Sequence, residues 1–462
     1  MMTLARWSVM IVALAMLLGC EHVRPTLNAP LTQWDPRGGY LFSNLAPPGG
    51  DNSDSLLIYA SFSGGGTRAS TLAFGALREL ARQRITWEGK NKRLLDELDV
   101  INALSGGTFT GAYYALFGEQ IFHDFEYRFL RKDWDAELRS RILRSPRNWV
   151  RLWSPYFGRT HILAELLDEA LFEGKTYGDL MRRQQRPYLN IHATDMATLS
   201  RFEFTQIQFN WLCSDLSQLT IARASAASAA LPLVLSPISF KNYTGTCGFE
   251  YSAETVKDAL RRGGLAAARA KEYLSYLDVN KRAYIHLLDG GLSDNVALRG
   301  LLEGASVLGG LENLLKFSRL KNIRKFVILS VNAETSPDMM EFGSYEIPSL
   351  AKAMSSLIDV PINRYSSDTI GLMRLLVTRL RPELRDKPRV ADSPFAKDAD
   401  IYFINASLSE IADPDERASL MKIPTTLYLT DEQIERLLLA AARLIRNDPD
   451  FQRLMQDLET GK

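Results

Sequence analysis

Two short apolar runs, each ending at a cluster of glycines and each followed by helical spacing, constrain this chain more than any other feature of its 462 residues. Leu56-Leu57-Ile58-Tyr59-Ala60 leads into Gly64-Gly65-Gly66, after which Ala73, Leu77, Leu80 and Ala81 recur at helical spacing. Val100-Ile101-Asn102-Ala103-Leu104 leads into Ser105-Gly106-Gly107, and a helix is expected over Thr108 to Phe117. A strand, a glycine turn and a helix, twice in succession, imply an α/β layered domain. Further strands are expected at Tyr188 to Ala193, Phe202 to Phe209, Tyr284 to Leu288 and Phe326 to Val331. After Pro348 the pattern becomes mainly helical, with Thr430 placed to cap a helix carrying Ile434, Leu437, Leu438, Ala441 and Ile445. The expected divisions are a proline- and glycine-rich tether over 20–55, a catalytic domain over 56–335 and a helical C-terminal extension over 336–462 packed on that domain.

The second glycine turn carries the chemistry. A serine on a tight turn between a strand and a helix has its hydroxyl exposed and its backbone strained, which is the geometry of a nucleophile elbow. Ser105 has that context, although Ala103 stands where the usual Gly-x-Ser-x-Gly pattern has its first glycine. Ester hydrolysis builds negative charge on the carbonyl oxygen, and the backbone amides of Gly64, Gly65 and Gly66 can meet it because no side chain blocks a close approach. Arg68 follows directly. The lysine and hydroxyl residue of a P-loop are missing after this triplet, which disfavours nucleotide binding. Five histidines are present, and none follows Asp289, so the order Ser, Asp, His is excluded with that aspartate; His123 or His161 as base would need an unusual order. Asp289, at the end of an expected strand and followed by Gly290 and Gly291, is the better base. Partial desolvation there would raise its pKa toward the working pH.

In this order, Gly64-Gly65-Gly66-x-Arg68, Ser105-Gly106-Gly107 and Asp289-Gly290-Gly291 resemble the motifs of the patatin-like phospholipases. Ala193-Thr194-Asp195, the stretch Ala222 to Ala227 before Pro232, and Asp294-Asn295 look similar to that family as well, in structural roles. The resemblance spans about Leu56 to Val331. It implies a three-layer α/β/α domain around a mixed sheet, with Ser105 as nucleophile, Asp289 as base, the three glycines as oxyanion hole, and Arg68, Gly107, Gly290 and Gly291 supporting them. It implies no metal and no cofactor, and the sequence has no metal-ligand cluster. The expected activity is lipid acyl hydrolysis of the phospholipase A or lysophospholipase type through an acyl-enzyme. An esterase or thioesterase acting on soluble acyl compounds, or a lipidated scaffold without activity, are the alternatives.

Partners follow from charge and from the N-terminus. With 55 Lys and Arg against 54 Asp and Glu the balance is neutral, which gives no support for nucleic-acid binding. Arg6, the apolar stretch Val9 to Leu18, and Leu17-Leu18-Gly19-Cys20 read as an export signal over 1–19 that resembles a bacterial lipobox, with Cys20 lipidated. Glu21 is not the aspartate that signals inner-membrane retention, which favours the outer membrane. Export leaves Cys213 and Cys247 in an oxidising compartment, where one disulfide or two buried thiols are the options. From Arg139 to Arg159 there are six arginines and no acid, interleaved with Trp149, Trp153, Tyr156 and Phe157, which suits either an anionic membrane interface or an ordinary solvated face.

Overall fold

The computed structural model describes residues 23–45, 52–336, 345–386 and 392–460. The expected signal sequence and Cys20 lie outside the described residues. Among those residues the chain forms strands β1 (Leu56–Phe62), β2 (Arg84–Trp87), β3 (Lys90–Arg93), β4 (Leu98–Leu104), β5 (Tyr188–Asp195), β6 (Arg201–Glu203), β7 (Ile238–Lys241), β8 (Tyr284–Asp289), β9 (Ile323–Asn332) and β10 (Phe395–Ser407). β2 and β3 make a separate hairpin, and the rest form one mixed sheet in the order β10-β9-β1-β4-β5-β8-β7, with β6 on β5. Strands β10, β9, β1, β4 and β5 run parallel, whereas β6 and β8 pair antiparallel with β5 and β7 with β8.

The apolar runs are continuous because both faces of the central strands are covered, and alternate side chains enter different cores. On β1, Leu56, Ile58 and Ala60 join the larger core while Leu57 joins a second one; on β9, Val327 and Leu329 face the first and Phe326 and Ile328 the second. The layers are thus helix, sheet, helix. Helix α1 (Gly66–Arg82) lies on one face and is itself roofed by α8 (Asp431–Asn447), so close that a Cβ on Gly75 would stand 2.7 Å from the Ala441 methyl. The long helix α7 (Leu350–Asp386) brings Met373, Val377 and Leu384 to the core on the other face. Helix α2 (Gly106–Phe117) follows β4, helices α3 (Trp134–Leu143), α4 (Pro146–Leu152) and α5 (Arg159–Leu167) come next, and α6 (Ile221–Ser228) precedes β7. Thr430 caps α8 by accepting from the Gln433 amide at 3.3 Å.

Two expectations change and one gains a strand. The stretch Phe202 to Phe209 is a strand only to Glu203, because Thr205 caps a helix over Gln206–Trp211 and accepts from the Gln208 amide. The C-terminal part is mainly helical, as expected, and adds one strand, β10, which extends the sheet. Its Lys397, Asp398 and Asp400 disguise the strand, and Asp400 is buried against Arg385 and Arg453. The segment expected as a tether is, over 23–45, packed on the domain. Asn28 is buried and donates to Ser214 Oγ at 2.9 Å, and the buried Tyr40 ring stacks on Tyr188 while its hydroxyl oxygen accepts from the Leu189 amide.

Cys213 and Cys247 form a disulfide with Cα atoms 5.4 Å apart. The N-terminal segment crosses it, with the Leu31 and Trp34 amides donating to the Cys213 and Cys247 carbonyls. Closing a loop of 34 residues is expected to contribute about 3 to 4 kcal/mol in the chain-entropy account. Urea titration of the Cys213→Ser, Cys247→Ser double variant should show a loss of that order, matched by reducing the unsubstituted protein.

Candidate active site

β4 lies between β1 and β5, and its C-terminal end turns directly into α2. Ser105 makes that turn at φ 46° and ψ −126°, a conformation rarely tolerated outside glycine, and it persists because its surroundings fix it. A Cβ on Gly106 would stand 2.0 Å from the Gly66 carbonyl oxygen, and one on Gly107 would stand 2.6 Å from the carbonyl oxygens of Phe62 and Ser63. Both glycines are needed for the elbow to reach the first glycine loop. Ala103, in place of the usual glycine, is accommodated from the helix side, because Gly111 of α2 has no side chain and a Cβ there would lie 3.3 Å from the Ala103 methyl.

The last residue of β8 is Asp289, and its Oδ2 accepts the Ser105 hydroxyl at 2.9 Å. Its Oδ1 accepts the Gly291 amide at 2.8 Å. Burial raises the Asp289 carboxyl to about 6, against the pull of the Gly291 and Ser105 hydrogen bonds. Gly290 permits the strand end to cross β5, since a Cβ there would stand 2.6 Å from the His192 carbonyl oxygen. One contributor was not singled out in the sequence. Ser228, the last residue of α6, accepts the Ser105 amide at 2.8 Å and donates to the His192 carbonyl at 2.5 Å, tying the elbow to β5. The run of small residues ending before Pro232 was the available signal.

The glycine loop divides its labour. The Gly64 amide is committed to the Asn295 carbonyl at 3.1 Å, which removes it as an oxyanion donor. The amides of Gly65 and Gly66 have no hydrogen-bond partner among the described residues, and both residues sit at positive φ, 135° and 59°. Arg68 is buried and donates to the carbonyls of Ala333 and Ile423 and to Thr425 Oγ1, so it staples distant segments to the loop. No described histidine lines the site. His161 accepts the Gly158 amide and stacks on Phe157, while His192 Nε2 lies 3.0 Å from Asn102 Oδ1, and burial lowers both imidazoles, to about 4 and about 3. No group of three or more metal-ligating side chains occurs among the described residues.

The sequence model of the family described as patatin-like phospholipase matches residues 60–302, more than half of the chain. This protein belongs to that family. No curated protein matches the patatin-like chain. Among solved structures it is similar to human GIVD cytosolic phospholipase A2, at 14% identity over 88% of this chain and 60% of that one, with a TM-score of 0.43. The same human enzyme in complex with methyl gamma-linolenyl fluorophosphonate and terbium chloride gives 16% identity over 88% and 59%, with a TM-score of 0.41. The chain therefore spans about three fifths of the length of these proteins.

In this patatin-like domain Ser105 and Asp289 stand in a cavity of about 320 Å³, near the lower end of the range of about 300 to 1,000 Å³ for small-molecule sites. Phe109, Leu138, Leu163 and Leu231 give it an apolar wall. Another wall comes from outside the family match, from Ala333 to Thr335, from Ile358 and Ile362 of α7, and from Thr425 to Leu427. The Thr426 carbonyl accepts the Thr67 amide at 2.8 Å, so the C-terminal segment is seated on the glycine loop.

Ser228→Ala would leave the Ser105 amide and the His192 carbonyl buried without their partner, at a cost of about 1 to 3 kcal/mol. Urea denaturation should register that loss.

Proposed function

We propose that the protein is a lipid acyl hydrolase of the phospholipase A or lysophospholipase type, working through a Ser105–Asp289 dyad. The observation that carries this reading is the 2.9 Å hydrogen bond from the Ser105 hydroxyl to Asp289 Oδ2 inside an apolar cavity. Ser105 Oγ attacks the ester carbonyl carbon as its proton passes to Asp289. The oxyanion is held by the amides of Gly65 and Gly66, at the positive end of α1. Collapse breaks the ester bond, the alcohol leaves with the proton from Asp289, and the acyl group stays on Ser105. Water then attacks the acyl-enzyme with Asp289 again as base, releasing a fatty acid and restoring the serine.

A carboxyl raised to about 6 suits this duty, since it is ionised at neutral pH yet basic enough to take a proton. We further propose that the protein is exported and lipid-anchored through Cys20, with the outer membrane as its destination. Among the described residues no helix is long and apolar enough to cross a membrane.

Ser105→Ala is expected to reduce hydrolysis of a p-nitrophenyl ester and of phospholipid vesicles to background, and Asp289→Asn to reduce kcat by about 10² to 10⁴-fold. Unchanged turnover in either variant would overturn the dyad. Below pH 6 Asp289 is protonated and cannot act as base, so kcat/KM should rise tenfold per pH unit up to about 6 and level off above it.

A further inference from the structure

The cavity opens between two exposed apolar banks. On one side Leu233 and Val234 line the cavity and are 55% and 57% exposed. The Leu233 carbonyl accepts Arg159 Nη2 at 3.0 Å, which joins this bank to the start of α5. Just before α5, helices α3 and α4 and the residue that ends α4 present Leu143, Trp149, Val150 and Trp153 to solvent, Trp153 at 86%. On the other side α7 places Ile358 and Ile362 in the cavity while Leu350 and Leu357, on the same first turns, are exposed. Leu233 and Val234 are at the cavity itself, and the exposed apolar cluster before α5 is joined to them through Arg159; clustered large exposed aromatic and aliphatic side chains mark an interaction site, whereas single exposed apolar residues scatter.

Charge and chain path indicate what covers it. Of the six arginines between Leu138 and Thr160, Arg141 pairs with Glu137 and Glu169 and Arg151 with Glu165. Arg139, Arg144 and Arg147 are exposed and make no ion pair among the described residues, and Arg159 is exposed beside them. Glu137, Glu169 and Glu165 are thus paired, and Arg139, Arg144 and Arg147 leave positive charge on the exposed surface of this segment. The N-terminal segment ends its described course on this same face. The Val23 carbonyl accepts the Ser154 hydroxyl at 2.6 Å, and the Arg24 guanidinium lies 4.8 Å above the Tyr156 ring. Val23 is three residues along the chain from Cys20, a reach of roughly 10 Å.

From this convergence we propose that the face formed by Trp149, Trp153, Arg144, Arg147, Leu233 and Val234 rests on an anionic lipid bilayer, with the cavity mouth toward the lipid. Aromatic rings of this kind settle at the boundary between acyl chains and headgroups, and the arginines meet the anionic headgroups. An acyl chain then passes from the membrane into the cavity without crossing water. A lipid on Cys20 would hold the domain by the edge that already faces the bilayer. The proposal rests on the functional reading only for the direction in which an acyl chain travels; the docking face stands on its own observations.

The test is an orientation measurement on the full chain bound to vesicles containing phosphatidylglycerol with brominated acyl chains. Seven tryptophans are present, and of the described ones only Trp149 and Trp153 are exposed. Bromine is expected to quench fluorescence in the unsubstituted protein, and the Trp149→Phe, Trp153→Phe variant should lose most of that quenching while keeping its turnover of a soluble ester. Arg139, Arg144 and Arg147 changed together to Gln should weaken vesicle association of the chain lacking residues 1–20, which retains every described residue, by about fivefold per arginine. Equal quenching in the double variant, or none in the unsubstituted protein on vesicles that it binds, would overturn the lipid face. Failure of soluble-ester turnover would instead count against the Ser105–Asp289 reading and leave the quenching result to judge the face.

Discussion

Two backbones meet in this protein more closely than side chains would permit. The turn at Gly106 lies against the carbonyl and amide of Gly66, and Gly107 lies against the carbonyls that end β1. Parallel neighbours β1 and β4 bring the two glycine turns to one end of the sheet, where crossover connections leave a crevice. The Ser105 hydroxyl and the Gly65 and Gly66 amides come together because both turns lack side chains on the facing side. Any β-carbon at Gly106 would separate them.

Around that contact the groups that hold the two turns are hydrogen-bonded, while the amides of Gly65 and Gly66 are left without a partner among the described residues. Among the described residues Asp289 has two hydrogen bonds and no cation beside it, so burial dominates and raises its carboxyl to about 6. Ser228 and Asn295 fix the two turns through their own hydrogen bonds, one to the Ser105 amide and one to the Gly64 amide. The rigidity lies in strands and helix ends, and the strained Ser105 backbone is sustained by them.

The C-terminal third belongs to the same body as the catalytic motifs. β10 pairs with β9 along most of its length, α8 covers α1, and Arg68 draws Ile423 and Thr425 onto the glycine loop. The site is therefore completed by residues far beyond the family match. The N-terminal segment is likewise packed on the domain, crossing the disulfide and beginning beside Tyr156.

The sequence by itself determined the elements whose chemistry is local. Apolar runs ending in glycines place β1 and β4, Thr430 marks the start of α8, and Ser105 and Asp289 are recognisable from the turns that hold them, because strand burial, capping and positive φ each act within a few residues. Only the tertiary structure decided what depends on distant partners. Asp400 conceals β10 until Arg385 and Arg453 neutralise it, and Gly64 loses its donor to an asparagine more than two hundred residues away. Ser228 and the walls from α7 and Thr425 to Leu427 were likewise invisible, since pairings across hundreds of residues leave no periodicity in the chain. The physical reason is that hydrogen-bond commitment and burial are properties of neighbours in space, while the sequence displays only neighbours along the backbone.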